Sequence, residues 1–394
     1  MAAFFPAEAV NDLVKKHLPQ VIEIRRRIHS EPELGFREVK TTALVKKHLA
    51  ELGLEVMDLG DTTGAAAILR GGKPGPVTGL RADLDALPIQ EQTGLPFQSK
   101  NAGVMHACGH DGHTAMLLGA AMVLRELADE VPGTVKFVFQ PAEELLQGAK
   151  ALIDRGVLAD PKPDFFYAFH VWPSLPLGHF GIKPGPAMAG AARFQATFSG
   201  QGGHGANPHL TVDPILAAAN WVTLLQSIVG RKVDPVDPAV VSVGTIQGGT
   251  SYNSIASSVS LEGTVRAVTP GTAGRIARWL EETLQGAAAA AGTACDFNYQ
   301  ELCPPVLNDP KEAAQILDLV GRLFGPERAH ALNQPSMIAE DFAYFLQEAK
   351  GCLVFLGTGE AEQATALHTD TFNFNEEALS QGIRLMVHLV LAKG

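Results

Sequence analysis

The fold is decided where three apolar runs of strand length, VTGLRADL (77–84), VKFVFQ (135–140) and FFYAFHV (165–171), alternate with helical stretches at 114–128 and 144–155. Strands that alternate with helices are typical of βαβ units, and they predict an α/β fold with a mostly parallel central sheet. Ligands of such sheets bind beyond the carboxyl ends of the strands. We therefore expect a functional site directly after the first two strands and near the end of the third.

Outside this region the pattern predicts a second domain. Two helices open the chain, with a break at Pro32, where proline excludes helix continuation. After Lys183 the elements follow in the order βαββαβ, which is that of the ferredoxin-like split βαβ motif. A helix, a strand and a terminal helix then complete the chain. We predict an α/β domain formed by residues 1–184 and 302–394, interrupted by an inserted ferredoxin-like α+β domain at 185–301.

The composition excludes several classes of protein. The 394 residues are 46% hydrophobic, which is typical of a globular protein, and 31 basic against 42 acidic residues give a net charge of −11. The basic run Arg25-Arg26-Arg27 is interpreted as a solvated helix face, so nucleic-acid binding is not expected. The hydropathy pattern leads us to expect neither a membrane span nor a secretory signal, and the sequence contains no CxxC pair. We expect a cytoplasmic protein with reduced thiols.

A dense group of metal-binding side chains occurs in MHACGHDGH (105–113), directly before a helix. Imidazole and thiolate are ligands of first-row metals. The Cys-Gly-His spacing lets two side chains on one tight turn reach a common ion, and the glycine relieves backbone strain. A helix-capping and packing role is the weaker alternative. This segment predicts a metal site.

Further candidate ligands follow other strands of the predicted sheet. Glu143 and Glu144 come just after VKFVFQ, His170 lies in FFYAFHV, and His368 follows a late strand. Taken singly, paired glutamates usually start a solvated helix and a lone histidine is usually a core residue. Together with the cluster above, these residues supply enough ligands for two neighbouring metal ions, an arrangement that generates hydroxide and polarises a carbonyl. One glutamate would bind metal and the other would act as a general base.

Other catalytic motifs do not fit the chain. The segment GQGGHG (200–205) matches GxGxxG, but Pro208 and Pro214 interrupt the helix that a dinucleotide site requires. The chain also lacks a GxSxG elbow, a GxxxxGK[ST] loop and an HExxH helix. The common serine hydrolase, P-loop and zincin interpretations are therefore excluded.

Five segments together resemble the M20 metallopeptidase family: HSEPELGFRE (29–38), RADLDALP (81–88), MHACGHDGH (105–113), PAEE (141–144) and LHTD (367–370). The similarity is greatest to its amidohydrolase subgroup, which includes hippurate hydrolases, N-acyl-amino-acid amidohydrolases and auxin-conjugate hydrolases. The motifs stand in the family's order across nearly the whole chain. The resemblance implies a zinc-peptidase-like catalytic domain, and a ferredoxin-like lid domain that forms a homodimer.

The resemblance also implies roles for individual residues. Glu143 would be the general base, and the lid residue His204 would stabilise the oxyanion. The lid would also contribute Asn253 and Arg266 to substrate binding. The implied metal ligands are Cys108, His110, Glu144, His170 and His368.

Two aspartates depart from the pattern of the family's peptidase branch. Asp83 stands where that branch has a metal-binding histidine, and Asp85 stands where it has the orienting aspartate. Cys108 would supply the missing ligand. We expect Asp83, Asp85 and Asp111 to orient imidazole rings. The remaining histidines of the cluster, His106 and His113, would be supporting or capping residues.

These residues predict a metal-dependent amidohydrolase that cleaves N-acyl amino acids, such as N-acetyl or N-benzoyl compounds, into a carboxylate and a free amino acid. The reaction would use a water activated by two divalent ions. A thiolate ligand favours Zn, Co or Ni over Mg, and Mn is frequent in relatives. The alternatives are a dipeptidase or carboxypeptidase of the same family, and a metal-binding protein without catalysis. The presence of Glu143 and all five candidate ligands argues against the last.

Overall fold

The computed structural model describes residues 5–359 and 366–394. Its α-helices are α1 (Ala7–Ser30), α2 (Val39–Glu51), α3 (His110–Glu126), α4 (Gly148–Asp154), α5 (Pro214–Arg231), α6 (Thr272–Ala291), α7 (Pro310–Phe324), α8 (Ala343–Glu348) and α9 (Glu377–Leu391). Its strands are β1 (Glu55–Val56), β2 (Ala65–Arg70), β3 (Lys73–Asp83), β4 (Pro132–Gln140), β5 (Phe165–Pro176), β6 (Phe180–Ile182), β7 (Gly185–Met188), β8 (Gly190–Ser199), β9 (Gly203–His204), β10 (Ala239–Gly248), β11 (Ser254–Ile255), β12 (Ser258–Ala267), β13 (Ala294–Cys303), β14 (Val306–Asn308), β15 (Ala329–Ala331) and β16 (Lys350–Gly359). Within the described ranges, no helix is both long and apolar enough to cross a membrane.

The chain forms two compact units. The first comprises Met1–Ala187, Leu307–Gln334 and Asp341–Gly394, and the second comprises Met188–Val306 and Pro335–Glu340. The sequence pattern contained no sign of the short return segment of the second unit. The backbone N–H of Ala189, directly after β7, donates hydrogen bonds to the carbonyl oxygens of Ser336 and Ile338 in this segment.

The first unit is built on an eight-stranded sheet in the order β1-β2-β4-β3-β5-β16-β6-β15. The four strands at its centre, β4, β3, β5 and β16, are parallel to one another, as the alternation of strands and helices predicted. Antiparallel pairs occur toward the two edges. The core of this unit includes the nearly fully buried side chains Val21, Leu117, Phe137, Phe169 and Leu385. The parallel centre sets the carboxyl ends of β3 and β4 side by side, and β5 continues beyond them to Pro176.

One predicted helix begins later than the sequence pattern indicated. A helix was expected from Glu144, but α4 starts only at Gly148. The backbone in between forms a turn in which Ala142 and Leu146 have φ angles of 50° and 55°. This left-handed conformation is uncommon for residues with a side chain and does not continue a right-handed helix. The carboxylates that follow β4 therefore lie on a turn.

The second unit has the ferredoxin-like order of elements that the sequence predicted. Its antiparallel sheet has the strand order β10-β12-β8-β13, and α5 and α6 connect the strands in the βαββαβ sequence. The core between sheet and helices includes Phe194, Trp221, Leu261 and Leu280. A separate short pair joins β9 to β11. Asp213 is the N-cap of α5, and its side chain accepts hydrogen bonds from the backbone N–H groups of Ile215 and Leu216 in the first turn.

Candidate metal centre

A turn before α3 places two candidate ligands beside the middle of β5. Gly109 begins this helix with a φ of 86°, and a Cβ atom there would lie 2.4 Å from Val171 Cγ2. Only glycine satisfies both the conformation and the close approach. The turn thereby holds Cys108 and His110 on either side of a glycine, as the Cys-Gly-His spacing predicted.

The structure brings the five predicted ligands together in two groups of three. The donor atoms within each group lie within 4.8 Å of one another, and Cys108 belongs to both groups. Its Sγ atom is 3.5 Å from His170 Nε2 and 3.3 Å from His368 Nε2. Glu144 Oε1 lies 3.4 Å from His368 Nε2 and 3.8 Å from His110 Nε2. Two donor groups that share one sulfur have the composition of a dinuclear site.

Hydrogen bonds on the far side of two rings aim their Nε2 atoms into the site. His170 Nδ1 donates to the Val171 carbonyl oxygen at 2.7 Å. His110 Nδ1 lies 3.3 Å from Asp85 Oδ1. Each contact fixes the proton on Nδ1 and leaves the Nε2 lone pair for a ligand, which is the usual supporting arrangement of metal-binding histidines.

Asp85 also fixes the backbone that carries the two glutamates. Its Oδ1 accepts a hydrogen bond from the Glu143 backbone N–H and its Oδ2 accepts one from the Glu144 backbone N–H, both at 3.0 Å. Glu143 Oε2 then lies 4.0 Å from His110 Nε2. One buried carboxylate thus orients an imidazole and both glutamates.

Asp83 and His113 form a support behind the site. His113 Nδ1 lies 2.7 Å from Asp83 Oδ1, and His113 Nε2 accepts the Val171 backbone N–H at 2.9 Å. Arg81 Nη1 donates to the other oxygen of Asp83 at 2.8 Å. Because both nitrogens of His113 are engaged, this ring links Asp83 to β5. Asp83 Oδ2 is 3.7 Å from His110 Nε2, so it borders the ligands.

Asp111 orients a histidine that sequence reasoning missed. Asp111 Oδ2 accepts hydrogen bonds from Arg25 Nε at 3.0 Å and His29 Nδ1 at 2.9 Å, both on α1. The interpretation of Arg25 as part of a solvated face was wrong, because its side chain is buried over the Phe374 ring. Its neighbours in the basic run are exposed, and a helical pattern alone does not separate the three. His106 is buried nearby, and burial lowers its pKa to about 3, so the ring is neutral.

The unpaired atoms of the site and the pKa shifts of Cys108 and His170 fit bound cations. Burial lowers the pKa of His110, but the surrounding carboxylates outweigh burial and raise it to about 10, so a cation would take the place of a proton on this ring. His110 Nε2 and Glu144 Oε1 are buried and have no hydrogen-bond partner among the described residues. Burial, together with the Glu144 carboxylate, raises the pKa of the Cys108 thiol well above its usual value. Burial lowers the pKa of His170 well below its usual value, which leaves the ring neutral. A divalent cation compensates this cluster, because it pairs with the carboxylate and stabilises the thiolate.

The predicted substrate residues lie in the second unit. His204 in β9 is exposed, and its Nδ1 accepts the Ala206 backbone N–H at 3.1 Å. Asn253 stands beside it, because its carbonyl oxygen accepts the Gly205 backbone N–H at 2.8 Å. Arg266 in β12 is half-buried and donates to the Val265 carbonyl oxygen at 3.1 Å. The structure therefore brings the first two together on two exposed segments that pair with each other.

Comparisons with known proteins agree on one family. A model of peptidase family M20/M25/M40 matches residues 79–392. The N-acetylcysteine deacetylase of Bacillus subtilis is 39% identical and aligns over 94% of this chain and 96% of its own length. The IAA-amino acid hydrolase ILR1-like 5 of Arabidopsis thaliana is also 39% identical, over 94% of this chain and 85% of its own. The crystal structure of the Bacillus subtilis YXEP protein, a dinuclear metal-binding peptidase of the M20 family, is 36% identical with a TM-score of 0.83, covering 96% of this chain and 100% of that one.

Proposed function

The chain belongs to peptidase family M20/M25/M40, and we propose that it hydrolyses N-acyl amino acids, with acetyl or benzoyl among the acyl groups, to a carboxylate and a free amino acid. The observation that carries this proposal is the pair of donor groups that share the Cys108 sulfur, with Glu143 beside them. An amidohydrolase function is also that of the two named relatives, whose names describe an N-acetyl and an indoleacetyl amino acid as substrates.

The five clustered donors would hold two divalent metal ions. Cys108, His110 and His170 form one group, and Cys108 forms the other with Glu144 and His368. Ions bound there would supply Lewis acidity, which lowers the pKa of a water molecule and polarises the acyl carbonyl. Among Mn, Zn, Co and Ni, the thiolate favours Zn, Co or Ni.

Glu143 would transfer the proton of the reaction. Its side chain is nearly buried, with 6% of its surface exposed, and its backbone is held by Asp85. The carboxylate accepts a proton from the water whose oxygen bonds to the acyl carbon. It then donates this proton to the amide nitrogen as the C–N bond breaks. The water oxygen leaves in the new carboxylate, and the nitrogen leaves as the amine.

The second unit would bind the substrate. His204 would donate a hydrogen bond to the developing oxyanion. Asn253 and Arg266 would bind the carboxylate of the amino acid. The exposed positions of His204 and Asn253, side by side, support this assignment.

The test measures free amino acid released from N-acetyl, N-benzoyl and indoleacetyl amino acids and from dipeptides. The protein is stripped with a chelator and reloaded separately with Mn, Zn, Co or Ni. We expect release from acyl amino acids that returns only with metal. Release from dipeptides alone would assign the chain to the peptidases of the family. No release with any metal, in protein shown to bind metal, would leave a binding protein without catalysis and overturn the proposal.

We further propose that the chain is a homodimer through its second unit. β10 is an edge strand of its sheet and exposes Ile246, while α5 exposes Leu216 and Ile215. Unpaired strand edges with apolar side chains favour association.

Sedimentation velocity should give a dimer at micromolar concentration, and Leu216→Glu with Ile246→Asp should give a monomer. The matched control Val39→Glu, at an exposed position of the first unit, should remain dimeric. A wild-type monomer would contradict the proposal.

We also propose a cytoplasmic location. The four cysteines form no disulfide, and a thiolate ligand at Cys108 requires the reduced form that the cytosol maintains.

A further inference from the structure

We propose that Glu38 is a positioning residue for the base Glu143, an inference that rests on the proposed function. Glu38 immediately precedes α2, its side chain is fully buried, and it belongs to none of the donor groups. Its two carboxylate oxygens accept different hydrogen bonds. One accepts the Ala142 backbone N–H at 2.8 Å, and the other accepts the Thr63 hydroxyl at 2.7 Å.

The residue that Glu38 holds adopts an uncommon conformation. Ala142 has a φ of 50°, in the left-handed region that residues with a Cβ atom rarely adopt. Relaxation of this residue to a negative φ would redirect the chain at the next residue, Glu143. The bond from Glu38 offsets the cost of the left-handed conformation, because it is a hydrogen bond to a buried carboxylate. Glu38 therefore acts on the base through the backbone.

Three consecutive backbone N–H groups of this turn are bound by buried carboxylates. Ala142 donates to Glu38, and Glu143 and Glu144 donate to the two oxygens of Asp85. The Asp85 and Glu38 carboxylates differ in their other hydrogen-bond partners. Asp85 also contacts His110, whereas Glu38 contacts the turn and Thr63. Loss of Glu38 therefore releases the turn without removing a contact to a candidate ligand.

The segment before Glu38 packs on the same turn. A Cβ atom on Gly35 would lie 3.1 Å from both the Cα and the Cβ of Ala142. The Glu33 carbonyl oxygen accepts the Ala86 backbone N–H at 2.8 Å, just after Asp85. One segment thus holds the exits of both β3 and β4. This double attachment explains how residues early in the chain fix the geometry between Asp85 and Glu143.

The test compares Glu38→Ala, Glu38→Gln and the double variant Glu38→Ala/Ala142→Gly in the metal-loaded enzyme. Glu38→Ala should lower kcat about 100-fold, since small misplacements of a catalytic group have effects of this size. The KM and the bound metal should change little. Glu38→Gln should retain most of the activity, because its amide oxygen accepts the same bond. Glycine adopts a positive φ without strain, so Ala142→Gly should restore much of the kcat that Glu38→Ala loses.

Hydrogen–deuterium exchange gives a readout that does not depend on turnover. The peptide that contains Ala142 should exchange faster in Glu38→Ala and return toward the wild-type rate in Glu38→Gln. Thr63→Val removes the other partner of Glu38 and should leave kcat within a few-fold of wild type. Full activity of a folded Glu38→Ala, or no restoration by Ala142→Gly, would overturn the inference. Absence of amidase activity in the wild-type enzyme would instead refute the proposed function.

Discussion

Strand β5 carries side chains into two buried polar clusters that differ in how their charges are paired. Tyr167 donates to the Glu312 carboxylate, which also accepts Lys393 Nζ at 2.6 Å. Three residues later, His170 faces Cys108, in a cluster where Glu144 keeps a buried oxygen without a hydrogen-bond partner among the described residues. In the first cluster the carboxylate bonds to a cation of the chain itself, whereas in the second two buried atoms, His110 Nε2 and Glu144 Oε1, have no hydrogen-bond partner among the described residues.

This difference separates a structural cluster from a functional one. A buried ion pair whose members bond to each other needs nothing more. A buried set of thiol, imidazole and carboxylate in which individual atoms lack hydrogen-bond partners is costly unless a further cation binds. Burial and titratable chemistry alone therefore do not identify a site; buried donor atoms without partners that also lie within 4.8 Å of other metal-binding atoms point to one.

The largest expected effect is a difference in kcat between a variant of the candidate metal centre and a variant of the Glu312 cluster. Glu143→Gln removes the proton acceptor but keeps the shape, so we expect kcat to fall about 10³-fold, with metal content unchanged by elemental analysis. Glu312→Gln, in the paired cluster, should keep the wild-type kcat in folded protein. Equal losses in both variants would show that the assigned base has no special role.

The next largest effect concerns the contribution of the Glu312 ion pair to the free energy of unfolding. Lys393→Met leaves the Glu312 carboxylate buried without its cation, and we expect the free energy of unfolding to fall by about 3 kcal/mol. Lys162, whose ammonium pairs with Glu348 on the surface, is the matched control. Lys162→Met should change stability by less than about 0.5 kcal/mol. Urea denaturation measures both, and similar values would contradict the distinction.

Removal of metal should lower the stability of the folded protein through the cluster that contains Cys108, and not through the Glu312 cluster. A cation at 100 times its dissociation constant stabilises the folded state by about 2.7 kcal/mol, so chelator should lower the melting temperature of the wild type. Tyr167→Phe should show the same shift on chelation. Cys108→Ala, which removes the shared donor, should show a much smaller one. A wild-type protein indifferent to chelator would argue against a bound cation.

The smallest expected effect concerns the hydrogen-bonded group of His29, Asp111 and Glu91, which lies next to the candidate metal centre. Burial lowers the pKa of His29, but the carboxylates of Asp111 and Glu91 outweigh burial and raise it to about 9. A raised pKa stabilises the fold fully below about pH 6.5, and this contribution is lost as the pH rises through 9. Denaturation of metal-loaded protein across this range should show the loss. It should be modest, since Arg25 still pairs with Asp111, and it should be absent in His29→Gln.

The sequence predicted which candidate ligands come together, because they lie on turns and strands at one edge of the parallel part of the sheet. Cys108 and His110 flank a glycine that the turn requires, and the parallel order of strands brings His170 beside them. The order of elements in the second unit also followed from the pattern. These features depend on local spacing and on the general geometry of parallel sheets.

What the sequence did not predict depends on contacts between distant segments. The burial of Arg25 results from its pairing with Asp111, and no helical period distinguishes it from its neighbours. A turn occupies residues 142–146, where a helix start was predicted at Glu144, and Glu38, far earlier in the chain, binds its backbone. Such contacts join residues with large sequence separation, which local propensity does not describe.

The second unit is assembled from two pieces of chain, and this limits its modularity. Ser336, in the return segment, accepts the Ala189 backbone N–H at 2.9 Å, so the stretch from Met188 to Val306 lacks a partner when excised alone. A gene fusion or domain exchange between relatives that moves only this stretch would transfer an incomplete module. The exchangeable piece includes Pro335–Glu340, and a recombinant within this family would therefore carry a complete unit only when both segments are exchanged together.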